Sequence, residues 1–120
     1  MIISALLLTS CTSPESTSGY RTITMNGAVV MMRDEKNYII LDVRRPDEYA
    51  EGHIPEAINV PNETIGTEEI AELPNKAQLI LVYCRSGRRS KEAAEKLVKL
   101  GYTNIVEFGG ILDWKGEIEK

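Results

Sequence analysis

The chain has 120 residues, a formal net charge of −4, two cysteines and one histidine. That is enough for one domain with a core and too short for two. An acidic balance gives no reason to expect nucleic acid or an anionic membrane as partner. A single His53 excludes the usual histidine-rich metal sites, no Cys/His spacing suggests zinc, and no cofactor is expected.

In chain order, Ile2 to Leu8 is an apolar run too brief to span a bilayer, and it leads into Leu8-Thr9-Ser10-Cys11. Small residues before a cysteine after an apolar stretch resemble the lipobox of bacterial lipoproteins, in which the signal peptide is cleaved and the cysteine lipidated. The resemblance implies a lipid on Cys11 and residence in the bacterial cell envelope, with membrane contact only through that anchor. No Lys or Arg precedes the run, and if the segment is not a signal the protein is cytoplasmic. Residues 12 to 19 read as a polar tether, so 1–19 are assigned outside the fold and 20–120 to one domain.

From Tyr20 onward strands and helices alternate. Arg21 to Met25 reads as an edge strand, and Asn26 as the cap of a helix with Val29, Val30 and Met32 inward. Tyr38 to Leu41 is a buried-strand run ending at Asp42. Pro46-Asp47-Glu48 opens a short helix that stops near Gly52. Ala57 to Val60 is a third strand, and Thr67 to Leu73 a helix stopped by Pro74. Gln78 to Tyr83 forms the central strand. Ser90 caps an amphipathic helix with Ala93, Ala94, Leu97, Val98 and Leu100 inward, ended by Gly101. Asn104 to Phe108 is a fifth strand, after which Gly109-Gly110 turns into a last helix carrying Trp114. This alternation predicts an α/β domain: a mainly parallel five-stranded sheet with helices on both faces. Ligands bind such sheets beyond the carboxyl ends of the strands.

Cys84 stands at one such end, in Cys84-Arg85-Ser86-Gly87-Arg88-Arg89-Ser90. A tight loop there aims backbone N–H groups and the positive end of a helix at one point, which binds anions and favours a thiolate. Three arginines of like charge repel one another unless an anion, or the solvent, relieves them.

Three separated motifs now resemble one family. Asp42-Val43-Arg44-Arg45-Pro46-Asp47-Glu48-Tyr49-Ala50-Glu51-Gly52-His53-Ile54-Pro55-Glu56-Ala57-Ile58-Asn59-Val60-Pro61 is similar to the rhodanese signature. The Cys84 to Ser90 segment is similar to its active-site loop, and Gly109-Gly110 with Trp114 to its C-terminal turn. One departure is Glu56, where the family usually has glycine.

The resemblance implies a single rhodanese-like domain, a thiosulfate sulfurtransferase. Its sulfane sulfur moves from thiosulfate, or another persulfide donor, onto Cys84 and then to cyanide or a thiol acceptor. Cys84 is the expected nucleophile, and Arg85, Ser86, Gly87, Arg88, Arg89 and Ser90 the substrate-binding residues, with helix capping an equal explanation for Ser90. Which arginine meets the donor stays open. Asp42, Arg44, Glu48 and His53 are assigned structural support, because a thiolate nucleophile and a sulfite leaving group need no histidine base. Two other readings stand beside this one. One is a non-enzymatic persulfide carrier docking to a protein acceptor. The other is a phosphatase or arsenate reductase of related fold, disfavoured because Ser90 rather than arginine stands six residues beyond Cys84.

Overall fold

The computed structural model describes residues 19–120; the apolar run and Cys11 lie outside the described residues. Strands β1 (Arg21–Thr22), β2 (Tyr38–Asp42), β3 (Ile58–Asn59), β4 (Leu79–Cys84) and β5 (Ile105–Gly110) form one sheet in the order β1-β5-β4-β2-β3. Every pairing is parallel. Helices α1 (Met25–Asp34), α2 (Pro46–Glu51) and α3 (Arg88–Lys99) complete the fold.

Parallel strands buried on both faces need apolar side chains on both, and the runs at 38–41 and 79–83 supply them. Leu41, Ile80, Val82 and Cys84 pack with Ala93, Ala94 and Leu97 of α3 on one face. Ile40, Leu81, Tyr83, Val106 and Phe108 pack with Ala28, Met25 and Met32 of α1 and Tyr49 of α2 on the other. The α/β architecture with helices on both faces is therefore as expected from the alternation of patterns.

Several local expectations fail. The first strand ends at Thr22 because Thr24, not Asn26, caps α1: its Oγ1 accepts from the Gly27 N–H at 3.0 Å. The stripe of α1 turned to the sheet is Met25, Ala28, Met31 and Met32. Ala28 is buried, while Val29 and Val30 are 45% and 44% exposed.

The expected helix at 67–73 is a run of bends and turns, with a short 3₁₀ turn earlier, at Asn62–Thr64. Seven residues are too few to nucleate a helix unaided. Burial of Ile70 and Leu73 against the α3 side pins the segment as a turn, closed by the Leu73 N–H on the Ile70 carbonyl at 2.9 Å. The last helix is also only a 3₁₀ turn, Ile111–Asp113, with Trp114 at its end donating Nε1–H to the Glu117 carbonyl at 2.9 Å.

Candidate active site

β4 carries Cys84 to the carboxyl edge of the sheet and leaves it 1% exposed, a free thiol. The chain then turns sharply. Gly87 takes φ +117°, a left-handed conformation that side chains rarely adopt, and becomes the N-cap of α3. That turn brings the Gly87 N–H to 3.0 Å from the Cys84 sulfur, so a backbone donor and the positive end of a 12-residue helix face it together. Ser90 is therefore not the cap. It lies one turn inside α3, fully buried, with its Oγ 3.5 Å from the Cys84 sulfur.

β5 closes the back of the loop. The register between β4 and β5 shifts between Val82 and Cys84, so that Val82 pairs with Glu107 but Cys84 with Gly110. The extra residue is accommodated where Gly109 takes φ +96°. The loop then lies against Gly110 so closely that a Cβ there would sit 2.0 Å from the Arg85 carbonyl oxygen. That contact is the reason for glycine at 110, and the Leu112 N–H bonds the same carbonyl at 3.2 Å.

The three loop arginines part company. Arg89 forms a two-pronged ion pair with Glu48 of α2, at 2.7 and 3.1 Å, and is 18% exposed. The Arg89 guanidinium bonded to it, helped by the Arg45 N–H and opposed by burial, pulls the Glu48 carboxyl down to about 2. Glu48 thus ties α2 to the start of α3. Arg88 is exposed and paired with Glu92 at 3.0 Å. Arg85 is exposed and makes no ion pair among the described residues. A cavity of about 420 Å³ opens over the loop, lined by Arg45, Glu63, Arg85, Ser86, Arg88 and Arg89. Four guanidinium groups line it with one carboxylate; Arg45, Arg88 and Arg89 are already paired with Asp47, Glu92 and Glu48, which leaves Arg85, among the described residues, the unpaired donor for a small oxyanion.

Asp42, Arg44 and His53 form a separate cluster. Asp42 is fully buried and takes both Nε–H and N–H donors of Arg44, the Tyr83 hydroxyl at 2.6 Å and the Arg44 backbone N–H. Arg44 also donates to the Gly52 carbonyl at 2.6 Å, which ties the strand end to the far end of α2. Burial first, then the bond to Asp42, raises the Tyr83 hydroxyl far above its ordinary range. His53 stacks on Tyr49 at 3.8 Å, engages the Tyr49 carbonyl through Nδ1, and faces Glu119 through Nε2 at 3.6 Å. None of its hydrogen bonds reaches the Cys84 loop.

Three residues escaped the sequence reading. Asn59 donates to the carbonyls of Asp42 and Arg44, both at 2.9 Å, and so fixes the β2–α2 connection. Arg45 joins the cavity wall. Glu107 is fully buried on β5 and accepts from the Ser90 hydroxyl at 2.6 Å. Its signal was a charged residue two places beyond Ile105, on the strand face that meets α3. Among the described residues no group of His, Cys, Asp and Glu is placed to hold a metal ion, and no helix is long and apolar enough to cross a membrane.

A buried sulfur under a backbone donor, at the carboxyl ends of parallel strands and beside a cationic cavity, defines a domain built for anionic chemistry at one cysteine. Residues 26–117 match the family described as Rhodanese-like domain, and the chain belongs to that family. It is 37% identical over 73 residues to the thiosulfate sulfurtransferase PspE of Escherichia coli, across 61% of this chain and 70% of that one. It is 31% identical over 101 residues to a thiosulfate:glutathione sulfurtransferase of Saccharomyces cerevisiae, across 71% and 70%. Among solved structures, an Escherichia coli rhodanese with anions superposes with a TM-score of 0.62 at 37% identity, covering 69% of this chain and 98% of that one. These relatives support a sulfurtransferase role.

Proposed function

We propose that this protein is a thiosulfate sulfurtransferase working through a persulfide on Cys84. The observation that carries the reading is the buried, free Cys84 sulfur held 3.0 Å from the Gly87 N–H beside a cavity walled by arginines. The Cys84 thiolate attacks the outer sulfur of thiosulfate, the bond to the sulfonate sulfur breaks, and sulfite leaves with that electron pair. The persulfide left behind is again an anion and keeps the same N–H donor. Cyanide or a thiolate then attacks the terminal sulfur and departs with it, restoring the Cys84 thiolate.

Arg85 and Arg88 are the arginines free to meet the dianion, since one has no ion pair among the described residues and the other only an exposed one. Arg89 is a brace: its charge reaches the site while two of its donors are committed to Glu48. The family likeness to a thiosulfate:glutathione enzyme supports a thiol acceptor, which a cavity of about 420 Å³ has room to admit. Phosphatase chemistry is disfavoured because Arg89 comes one position too early to close a loop around a tetrahedral oxyanion and is bonded to Glu48. We place the protein in the cell envelope through a lipid on Cys11; metabolic labelling with a fatty acid that survives Cys11→Ser sinks that assignment.

The test of the activity is an intact-mass spectrum after exposure to thiosulfate, with Cys84→Ser as control. A gain of one sulfur atom that cyanide removes, absent from the serine variant, is expected. A folded protein that gains sulfur from a protein persulfide but never from thiosulfate would favour the carrier reading instead.

A further inference from the structure

Behind Cys84 the structure holds a second acid that sulfur transfer as drawn above does not use. Glu107 is fully buried. Its Oε2 accepts from the Ser90 hydroxyl at 2.6 Å and from the Gly109 N–H at 2.8 Å. Its Oε1 has no hydrogen-bond partner, and Lys91 Nζ stands 3.4 Å from it with half of that side chain in solvent. Ser90 Oγ lies between this carboxylate and the Cys84 sulfur.

Ser90 has one proton and several candidate acceptors: Glu107 at 2.6 Å, the Gly87 carbonyl at 2.9 Å and the Gly109 carbonyl at 3.4 Å. The shortest contact, to the acidic group, claims it. The Ser90 oxygen then turns a lone pair toward Cys84 and can take the thiol proton, while the Gly87 N–H donates to the sulfur. If that thiol lost its proton to water, two buried anions would face each other across a single hydroxyl. Like charges sharing a buried site do not both ionise readily. A proton kept inside the group removes the conflict.

We propose that Glu107 is the internal proton acceptor for Cys84, reached through the Ser90 hydroxyl. The Cys84 S–H bond breaks as its proton goes to Ser90 Oγ, and the original Ser90 proton goes to Glu107 Oε2. One negative charge moves from the carboxylate to the sulfur; nothing enters or leaves. Ser90 now donates to the sulfur, first as thiolate and then as persulfide, and the reverse shift returns the proton once the sulfur has been handed on. Glu107 acts through Ser90 as a positioning residue and never touches substrate.

Charged and dipolar groups act at both ends of this transfer. From α3, Lys91 faces Glu107. Over the loop stand Arg89 of α3, paired with Glu48 of α2, then Arg88, paired with Glu92, and Arg85. Just past β1, the Ile23 backbone N–H donates to the Glu107 carbonyl. The Gly87 N–H and the positive end of α3 thus favour the charge on sulfur, where it ends up, while Lys91 favours the carboxylate.

The inference rests on Cys84 being the sulfur-bearing group, but its test reads the thiol without sulfur transfer. Alkylation of Cys84 by iodoacetamide in the full-length protein, scored apart from Cys11 by peptide mass, is followed against pH. Wild type is expected to show a plateau through neutral pH, because the fraction carrying thiolate and protonated Glu107 does not change until a second proton leaves. Glu107→Gln keeps an acceptor for Ser90 but cannot take a proton; its rate should climb about tenfold per pH unit to a single midpoint. Ser90→Ala should lose the plateau as well. A wild-type profile of the same single-step form as Glu107→Gln, coincident or merely displaced, overturns the proposal and leaves Glu107 a fixed charge.

Should Glu107→Gln fail to fold, infrared difference spectra of ¹³C-glutamate-labelled wild type decide the matter. Loading Cys84 from polysulfide should bring up a protonated-carboxyl band, and loading without that band overturns the proposal. Because polysulfide supplies the sulfur here, failure of thiosulfate as donor is scored separately, by mass.

Discussion

Two buried carboxylates stand at the carboxyl edge of the sheet, and they are treated differently. Asp42, on β2, is surrounded by Arg44, the Tyr83 hydroxyl and a backbone N–H, all within about hydrogen-bonding contact, and its counter-charge is itself buried. Glu107, on β5, has one hydroxyl, one backbone N–H and a half-exposed lysine, with one oxygen unbonded. A buried charge with every partner in place holds a turn and does nothing else. A buried charge left partly unsatisfied, next to a thiol, has a reason to exchange its proton. The difference lies in the shell around the carboxylate and not in the carboxylate.

The comparison breaks most visibly on the Asp42 side. Arg44→Ala strands a fully buried carboxylate, and urea unfolding should register a loss of about 3–5 kcal/mol. Glu107→Gln, which preserves the Ser90 bond, should cost much less; comparable losses would mean that the two sites are alike after all.

Next in size is Gly110→Ala. Its Cβ would fall 2.0 Å from the Arg85 carbonyl and push the loop off the β5 edge, far from Asp42. Sulfur loading of Cys84 should drop by about a hundredfold, since displacement of reacting groups by an ångström has that scale. Loading at the wild-type rate would mean that the loop tolerates the shift.

The Glu48–Arg89 brace sharpens the contrast through pH. Glu48 is held at about 2 in the fold, below its unfolded value. Its contribution is therefore complete above the ordinary carboxylate range and is lost as pH falls from about 4.5 toward 2. Stability of order 2 kcal/mol should fade across that window, and Arg89→Met should flatten the curve there. An unchanged acid limb in Arg89→Met would show that the brace adds nothing.

The smallest expected effect is at Glu56, which takes φ +73° in the turn closed by the Ala57 N–H on the Ile54 carbonyl. A side chain there is strained, so Glu56→Gly should gain up to about 1 kcal/mol despite losing nothing of the loop. A loss instead would mean that the Glu56 side chain, and not only its N–H bonded to Glu119, holds the turn.

Much of this was legible in the chain because it is local. The apolar run ending at Cys84, the glycine three residues on and the amphipathic pattern beyond Ser90 specify strand, turn and helix by steric and periodic rules that need no distant partner. The same rules carried the alternation of strands and helices, and hence a parallel sheet with its site at the strand ends. Where local signals were weak they misled. Seven residues at 67–73 have helix-forming composition but take the turn that burial of Ile70 and Leu73 imposes. Ser90 looked like a cap until the left-handed Gly87 started the helix earlier.

The tertiary structure alone decided what the polar side chains do. Arg89 meets Glu48 across 41 positions, Tyr83 meets Asp42 across 41, and Ser90 meets Glu107 across 17. Periodicity and turn propensity act over a few residues, so they place a side chain on a face but not against its partner. Which charge is neutralised, and which is left able to hold a proton, depends on distances of about 3 Å between segments that only the folded sheet brings together.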